Sequence, residues 1–282
     1  MVYTLLVSIG YVYVYPVLYM LSTSFKSRED IINPMVMWVP TSLYLDNYVK
    51  AYNVLKYFPT LFKSTLITLL PAVIQTIVCS FIGYGLAKFR FKLKKLWFTL
   101  ILLTFLIPSQ VYMIPKYVMF NSLNLLNNPM AVILPAILGQ GVNSAIFILI
   151  FYQFFRMIPK SIEEAAEIDG AGPYKRFFLI GIPLAVPAFI TSFLFGFVWY
   201  WNETYFISLF LGDKAKDLSL QIRLAYFVSE YSSLYSSEET ALINEGIRLA
   251  ATLLIILPML IVYFILQRWF TEGVERSGIT GE

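Results

Sequence analysis

Six apolar runs, at roughly residues 2–22, 60–87, 96–115, 129–152, 188–211 and 246–267, dominate this sequence. Each is long enough for a helix to cross a bilayer core, which takes about 20 apolar residues at 1.5 Å of rise each. Lipid offers no partner for backbone N–H and C=O groups, so a crossing segment of this length must bond internally as an α-helix. Composition agrees: 59% of the residues are hydrophobic and 13% charged, against roughly 45–50% and 25% in soluble domains. The fold class expected is therefore all-α, a polytopic membrane protein with six transmembrane helices in one domain over residues 1–282. No run has the short apolar core and small-residue cleavage site of a secretory signal. The first lacks the usual basic flank on its N-terminal side, as a chain trimmed at its start would.

The residue types exclude whole classes of chemistry. With no histidine and one cysteine, Cys79 inside an apolar run, zinc sites, Cys/His nucleophile pairs, His proton relays and disulfides lack their parts. Cys79 reads as a small packing residue. The net charge of +4 gives no reason to expect nucleic acid. Orientation follows the basic residues, because cytoplasmic loops retain Lys and Arg. Lys88, Arg90, Lys92, Lys94 and Lys95 follow the second run without an intervening acid; Arg156, Lys160, Lys175 and Arg176 fall two runs later. Both loops are expected in the cytoplasm, the acid-rich segment 212–245 outside, and both termini inside. The 88–95 loop is also placed to meet anionic lipid headgroups, although its topogenic role alone would account for it.

The informative stretch is 158–187, too polar to cross yet rich in helix formers. Ser161 ahead of Glu163 and Glu164 suits a helix start, where an oxygen cap and first-turn acids meet free N–H groups. Asp169-Gly170-Ala171-Gly172-Pro173 breaks that helix, and Tyr174 to Ile182 forms a second, ended by Pro183. The small side chains of Ala165 and Ala166 allow the hairpin deep into a partner's groove. Glu164 and Asp169 can anchor it there, while Phe177 and Phe178 seat it on the bundle. An amphipathic interfacial loop without a partner fits the same composition.

The pattern Glu164-Ala165-Ala166, three residues, Gly170, nine residues, Ile180-x-Ile182-Pro183 resembles the cytoplasmic coupling loop (EAA motif) of ATP-binding-cassette importer permeases, with Ile182 in place of Leu. Fragments along the chain resemble the carbohydrate-uptake branch and its maltose-type permease subunits: Ser24-Phe25-Lys26, Asn47-Tyr48, Ile107-Pro108-Ser109-Gln110, Ile114-Pro115, Ile158-Pro159, Trp201-Asn202-Glu203 and Gln267-Arg268. The resemblance implies a type I ABC importer permease fold in a prokaryotic cytoplasmic (inner) membrane. It implies a second homologous permease subunit, two ATPase subunits that bind ATP and Mg, and an extracytoplasmic solute-binding protein delivering a sugar. The ATPase-coupling residues would be Glu163, Glu164, Ala165, Ala166, Asp169, Gly170 and Pro183. The chain has no G-x-x-x-x-G-K-[ST] loop, so it is expected to be a transport subunit, with no cofactor or metal and no catalytic residue of its own.

Glu203 is the sole charged residue in run 188–211, and an ionisable group at membrane depth belongs in the bundle interior or beside water. With Asn202, Trp201, Tyr205 and, on another run, Asn143, it makes a candidate sugar path: aromatic faces pack on C–H surfaces and polar groups bond hydroxyls. A polar packing cluster that never meets sugar is the other reading. Gln75 and Gln140 suit interhelical hydrogen bonds. Competing functions are an importer permease for another solute and a polytopic membrane enzyme, the second disfavoured by its missing acid/base pair.

Overall fold

The computed structural model describes residues 2–235 and 245–278, with side chains through 268. Every regular element among them is helical. In chain order these are α1 (Val2–Ser24), α2 (Arg28–Ile32), α3 (Asp46–Leu55), α4 (Tyr57–Lys88), α5 (Lys94–Leu106) and α6 (Ser109–Ser122). There follow α7 (Met130–Ile137), α8 (Ser144–Met157), α9 (Lys160–Ile168), α10 (Pro173–Arg176), a π-helical turn (Phe177–Gly181), α11 (Ile182–Leu184), α12 (Val186–Asn202) and α13 (Tyr205–Leu211). Short helices α14 (Ala215–Leu218), α15 (Leu220–Ala225) and α16 (Phe227–Leu234) precede α17 (Glu245–Gly278).

Three continuous helices, Val2–Ser24, Tyr57–Lys88 and Glu245–Arg268, are long and apolar enough to cross a membrane. Three further pairs qualify only when each bent pair is counted as one, which brings the total to as many as six. The runs read as straight crossings at 96–115, 129–152 and 188–211 are each interrupted, at 107–108, 138–143 and 203–204. Backbone chemistry explains the breaks. Ile107 and Ile158 both precede proline and adopt extended geometry, ψ 118 and 121, because the proline ring crowds the helical conformation of the residue before it. The chain turns 99° between α5 and α6 and 73° between α8 and α9. The 138–143 segment carries two left-handed residues, Gly139 (φ 69) and Asn143 (φ 53).

The chain forms two compact units, residues 1–63 with 215–262 and residues 64–214 with 263–282. In the first, buried polar side chains hold irregular backbone. Asn47 Nδ2 donates to the carbonyls of Ser24 and Lys26 at 2.9 and 2.8 Å, and Lys26 Nζ donates to those of Val36 and Met37. Thus Ser24-Phe25-Lys26 and Asn47-Tyr48, separate fragments in the sequence, are one structural joint. Arg223, 1% exposed, donates to Val54 O, Asp217 Oδ1 and Glu230 Oε2 at 2.9–3.0 Å, so the buried charge is paired and each guanidinium nitrogen has a partner.

In the second unit, Cys79, Tyr84, Phe147, Phe151, Phe155 and Phe177 belong to one buried cluster. The aromatics meet largely edge to face, as ring quadrupoles favour: Tyr84 lies 5.1 Å from Phe155 and 4.9 Å from Phe177. This core holds the base of the 160–184 hairpin.

Candidate functional site

The hairpin's N-cap lies two residues before the expected one. Pro159 stands at the N-cap of α9 without a side-chain bond, and Ser161 lies inside the first turn. The extended Ile158-Pro159 pair fixes the start, so no hydroxyl cap is needed. Glu163 Oε1 accepts from Lys88 Nζ at 2.9 Å, and both side chains are less than a fifth exposed. Lys88 also donates to Ile158 O at 3.3 Å, which ties the hairpin's first strut to the end of α4. The two basic loops thereby meet at one face of the unit.

Gly170 closes α9 with φ 77, while Gly170 N donates to Glu167 O and Ala171 N to Ala166 O at 2.8 Å. Arg176 Nη1 bonds Glu167 Oε2 across the hairpin at 2.9 Å. Phe177 is buried, its ring 4.6 Å from that of Phe81; Phe178 is half exposed and touches Phe81 edge-on. Pro183 does not end the second helix. It sits in the first turn of α11, after a π-helical turn in which Ile182 N donates to Phe177 O. The wider turn accommodates a residue with no N–H to give, and the break comes at Ala185. Glu164, Ala165, Asp169 and Gly170 are exposed, Ala166 and Glu163 partly so. At the tip Ile168 and Tyr174 are 87% and 78% exposed, an apolar, acid-flanked end that no other described residue covers.

A second polar feature lies within the same unit. A cavity of about 270 Å³ is lined in part by Tyr112, Lys116, Gln140, Asn143, Tyr200 and Glu203, and a neighbouring cleft of about 470 Å³ shares Ser109, Tyr112, Lys116, Gln140 and Asn143. Of the expected path residues, Asn143 and Glu203 line it. Trp201 is buried and outside the lining, Asn202 is exposed and donates to Val198 O, and the Tyr205 hydroxyl meets the Met113 sulfur. Glu203 also has a local task, since its Oε1 accepts from Phe206 N at 2.9 Å at the start of α13.

Lys116 and Tyr112 escaped the sequence reading, and Ser109 entered it only as part of Ile107-Pro108-Ser109-Gln110, not as a site residue. Lys116 Nζ lies 5.3–6.0 Å from the ring centroids of Tyr112, Phe120, Phe206 and Phe210, a cation held by aromatic faces. The signal was available: a lone lysine among apolar residues past Ile114-Pro115 invites the argument applied to Glu203.

The cavity floor is held by three bonds. Gln75 Nε2 donates to Val142 O (2.7 Å), the Tyr200 hydroxyl donates to Gln75 Oε1 (2.6 Å), and Val142 N donates to the Tyr200 oxygen (3.2 Å). Gln75 thus bonds Tyr200 on another helix, as expected of it, and the N–H and C=O of Val142 in the unwound segment are both satisfied.

Comparison with known proteins now decides the family. Residues 79–276 match the model of the binding-protein-dependent transport system inner membrane component. The chain belongs to this family. It is a multi-pass membrane transport subunit and not an enzyme. Over its full length this inner-membrane component is 28% identical to the polygalacturonan/rhamnogalacturonan transport system permease protein YtcP of Bacillus subtilis, covering 97% of that protein. It is 28% identical to the arabinooligosaccharides transport system permease protein AraQ of Halalkalibacterium halodurans, covering 97% of this chain and 93% of the other. Among solved structures it resembles a chain of a bacterial ABC transporter involved in the import of the acidic polysaccharide alginate, with a TM-score of 0.81, 26% identity and 95% and 94% of the two chains covered.

Proposed function

We propose that this inner-membrane component carries a carbohydrate, of the oligosaccharide class, into the cytoplasm by alternating access. It does so beside a second, related permease, with two cytoplasmic ATPase subunits and an extracytoplasmic binding protein that delivers the sugar. The observation that carries this reading is the hairpin. It is built on Glu164-Ala165-Ala166 and Gly170, locked to α4 by Lys88–Glu163, seated by Phe177, and left with an exposed apolar tip. Such a lever passes a partner's closure into two membrane segments at once, α8 before it and α12 after it. Nucleotide binding in the ATPases then biases a two-state bundle, because only one bundle state fits the closed dimer. The hairpin face, with its basic loops, is the cytoplasmic side, and both termini lie there too.

The cavity lined by Asn143, Glu203, Lys116 and Tyr112 is part of the sugar path, with Trp201 buried nearby in the chain and Asn202 and Tyr205 on exposed surface. Rings and hydroxyl-bonding groups together are what a sugar requires. Two relatives named as transport system permeases, one for polygalacturonan/rhamnogalacturonan and one for arabinooligosaccharides, support the sugar assignment. Reconstituted in liposomes with its partners, the permease should accumulate a labelled oligosaccharide only with ATP inside and a sugar-loaded binding protein outside. Uptake driven instead by a binding protein loaded with an amino acid or metal chelate, and by no sugar-loaded one, would assign the complex to another solute.

A further inference from the structure

The turn joining α4 to α5 carries more positive charge than the hairpin uses. Lys88 is paired with Glu163, but among the described residues no carboxylate forms an ion pair with Arg90, Lys92, Lys94 or Lys95, and Lys94 donates to Phe89 O. These cations do not simply radiate into solvent. Arg90, Lys94 and Lys95 line one side of a cleft of about 760 Å³ whose other walls include Leu93, Phe98 and Tyr152. Beyond Phe91, which borders both, a second cleft of about 440 Å³ is walled by Ile82, Leu86, Phe89, Trp97 and Ile101. An apolar cleft therefore adjoins a trident of unneutralised cations where a membrane segment leaves the bilayer, with Trp97 (56% exposed) at the level indole favours.

We propose that this paired cleft is a binding site for one anionic phospholipid, its phosphate taken by Arg90, Lys94 and Lys95 and its acyl chains by the surface of Phe91, Trp97 and Phe98. A water-soluble anion would use the basic half alone and leave the apolar half exposed. A zwitterionic lipid fills the apolar half but brings its own cation beside its phosphate, so it adds no net negative charge against the three basic side chains. Only a ligand with both parts satisfies both clefts. The site lies on the face that carries the hairpin, because Lys88, which ends α4, holds Glu163. A lipid seated there steadies the turn from which that ion pair springs. The proposal depends on the transport reading only for which leaflet is meant.

The test uses the assembled complex in neutral detergent, offered phosphatidylglycerol or phosphatidylcholine, with bound lipid counted by native mass spectrometry. Wild type should retain phosphatidylglycerol in preference to phosphatidylcholine. R90Q/K94Q/K95Q should lose about a hundredfold of that affinity, at roughly one kcal/mol for each basic residue near an anionic surface. K92Q removes a charge from the same turn outside the cleft and should retain the lipid. R90Q alone, on an exposed side chain, should show a part of the triple effect and serves if the triple variant does not fold. Equal retention of the two lipids, an equal loss in K92Q and R90Q, or full displacement of phosphatidylglycerol by inorganic phosphate would overturn the site. Because no step measures transport, either result is independent of the cargo.

Discussion

A complex carrying Gly170→Val is expected to insert and assemble normally and to lose, by more than about tenfold, the stimulation of ATP hydrolysis by sugar-loaded binding protein. Space is not the obstacle, since a Cβ at residue 170 would meet nothing within 4 Å. The obstacle is φ 77, which costs a residue with a branched Cβ about 1–2 kcal/mol or more and is relieved only by remaking the turn. Remaking it moves Ile168 and Tyr174, the exposed tip, while the buried base at Phe177 stays. Glu164→Lys should give the same loss by another route: it leaves the backbone alone and reverses an exposed charge beside that tip. Membrane level and monodispersity report folding, and ATPase rate with and without loaded binding protein reports coupling. Wild-type stimulation in both variants would remove the hairpin from the mechanism.

The second large effect is expected at Gly141. An added Cβ would overlap Gln75 Oε1 and the Tyr200 hydroxyl, so Gly141→Ala must displace both members of the network that holds the 138–143 backbone. Each buried polar group left without its partner costs about 1–3 kcal/mol. The variant should melt several degrees lower than wild type and lose most of its uptake, because the same segment contributes Gln140 and Asn143 to the cavity wall. Tyr200→Phe orphans Gln75 Oε1 and Val142 N without adding bulk and should fall between the two. The check is thermal unfolding in detergent paired with liposome uptake. A Gly141→Ala protein with wild-type melting and uptake would show that the network positions nothing.

The hairpin was legible in the sequence because its chemistry is local. Glu164-Ala165-Ala166 and Gly170 specify a helix and its stop within a few residues, and the structure places the stop at Gly170 with the left-handed φ that glycine permits. The basic loop and the packing role of Cys79 were legible for the same reason. The straightness of the crossings was not. Apolar composition reports that a segment prefers lipid or core and is blind to a bend, so 96–115 and 188–211 read as single helices although Ile107-Pro108 and Glu203-Thr204 divide them. From α12 it is Tyr200 and not its neighbour Trp201 that lines the cavity, and past the end of α12 at Asn202 helical spacing no longer places Tyr205. Lys116 belongs to that wall through the 99° turn between α5 and α6, a tertiary consequence that no window of sequence displays. Pro183 misled by the opposite route: a proline reads as a stop, and a π-helical turn let the chain pass it.

A 160–184 hairpin that plugs into a cytoplasmic ATPase must bring its tip against that subunit. A cysteine in place of Ile168, exposed at the tip and far in sequence from the buried Cys79, tests it by disulfide or short bis-maleimide cross-linking in the assembled complex. A cross-link to the ATPase subunit is expected, changing in yield when nucleotide binds, with labelling by impermeant maleimide only from the cytoplasmic side. A residue 168 thiol that labels from outside, or that stays free of the ATPase in every nucleotide state of an active complex, would contradict it.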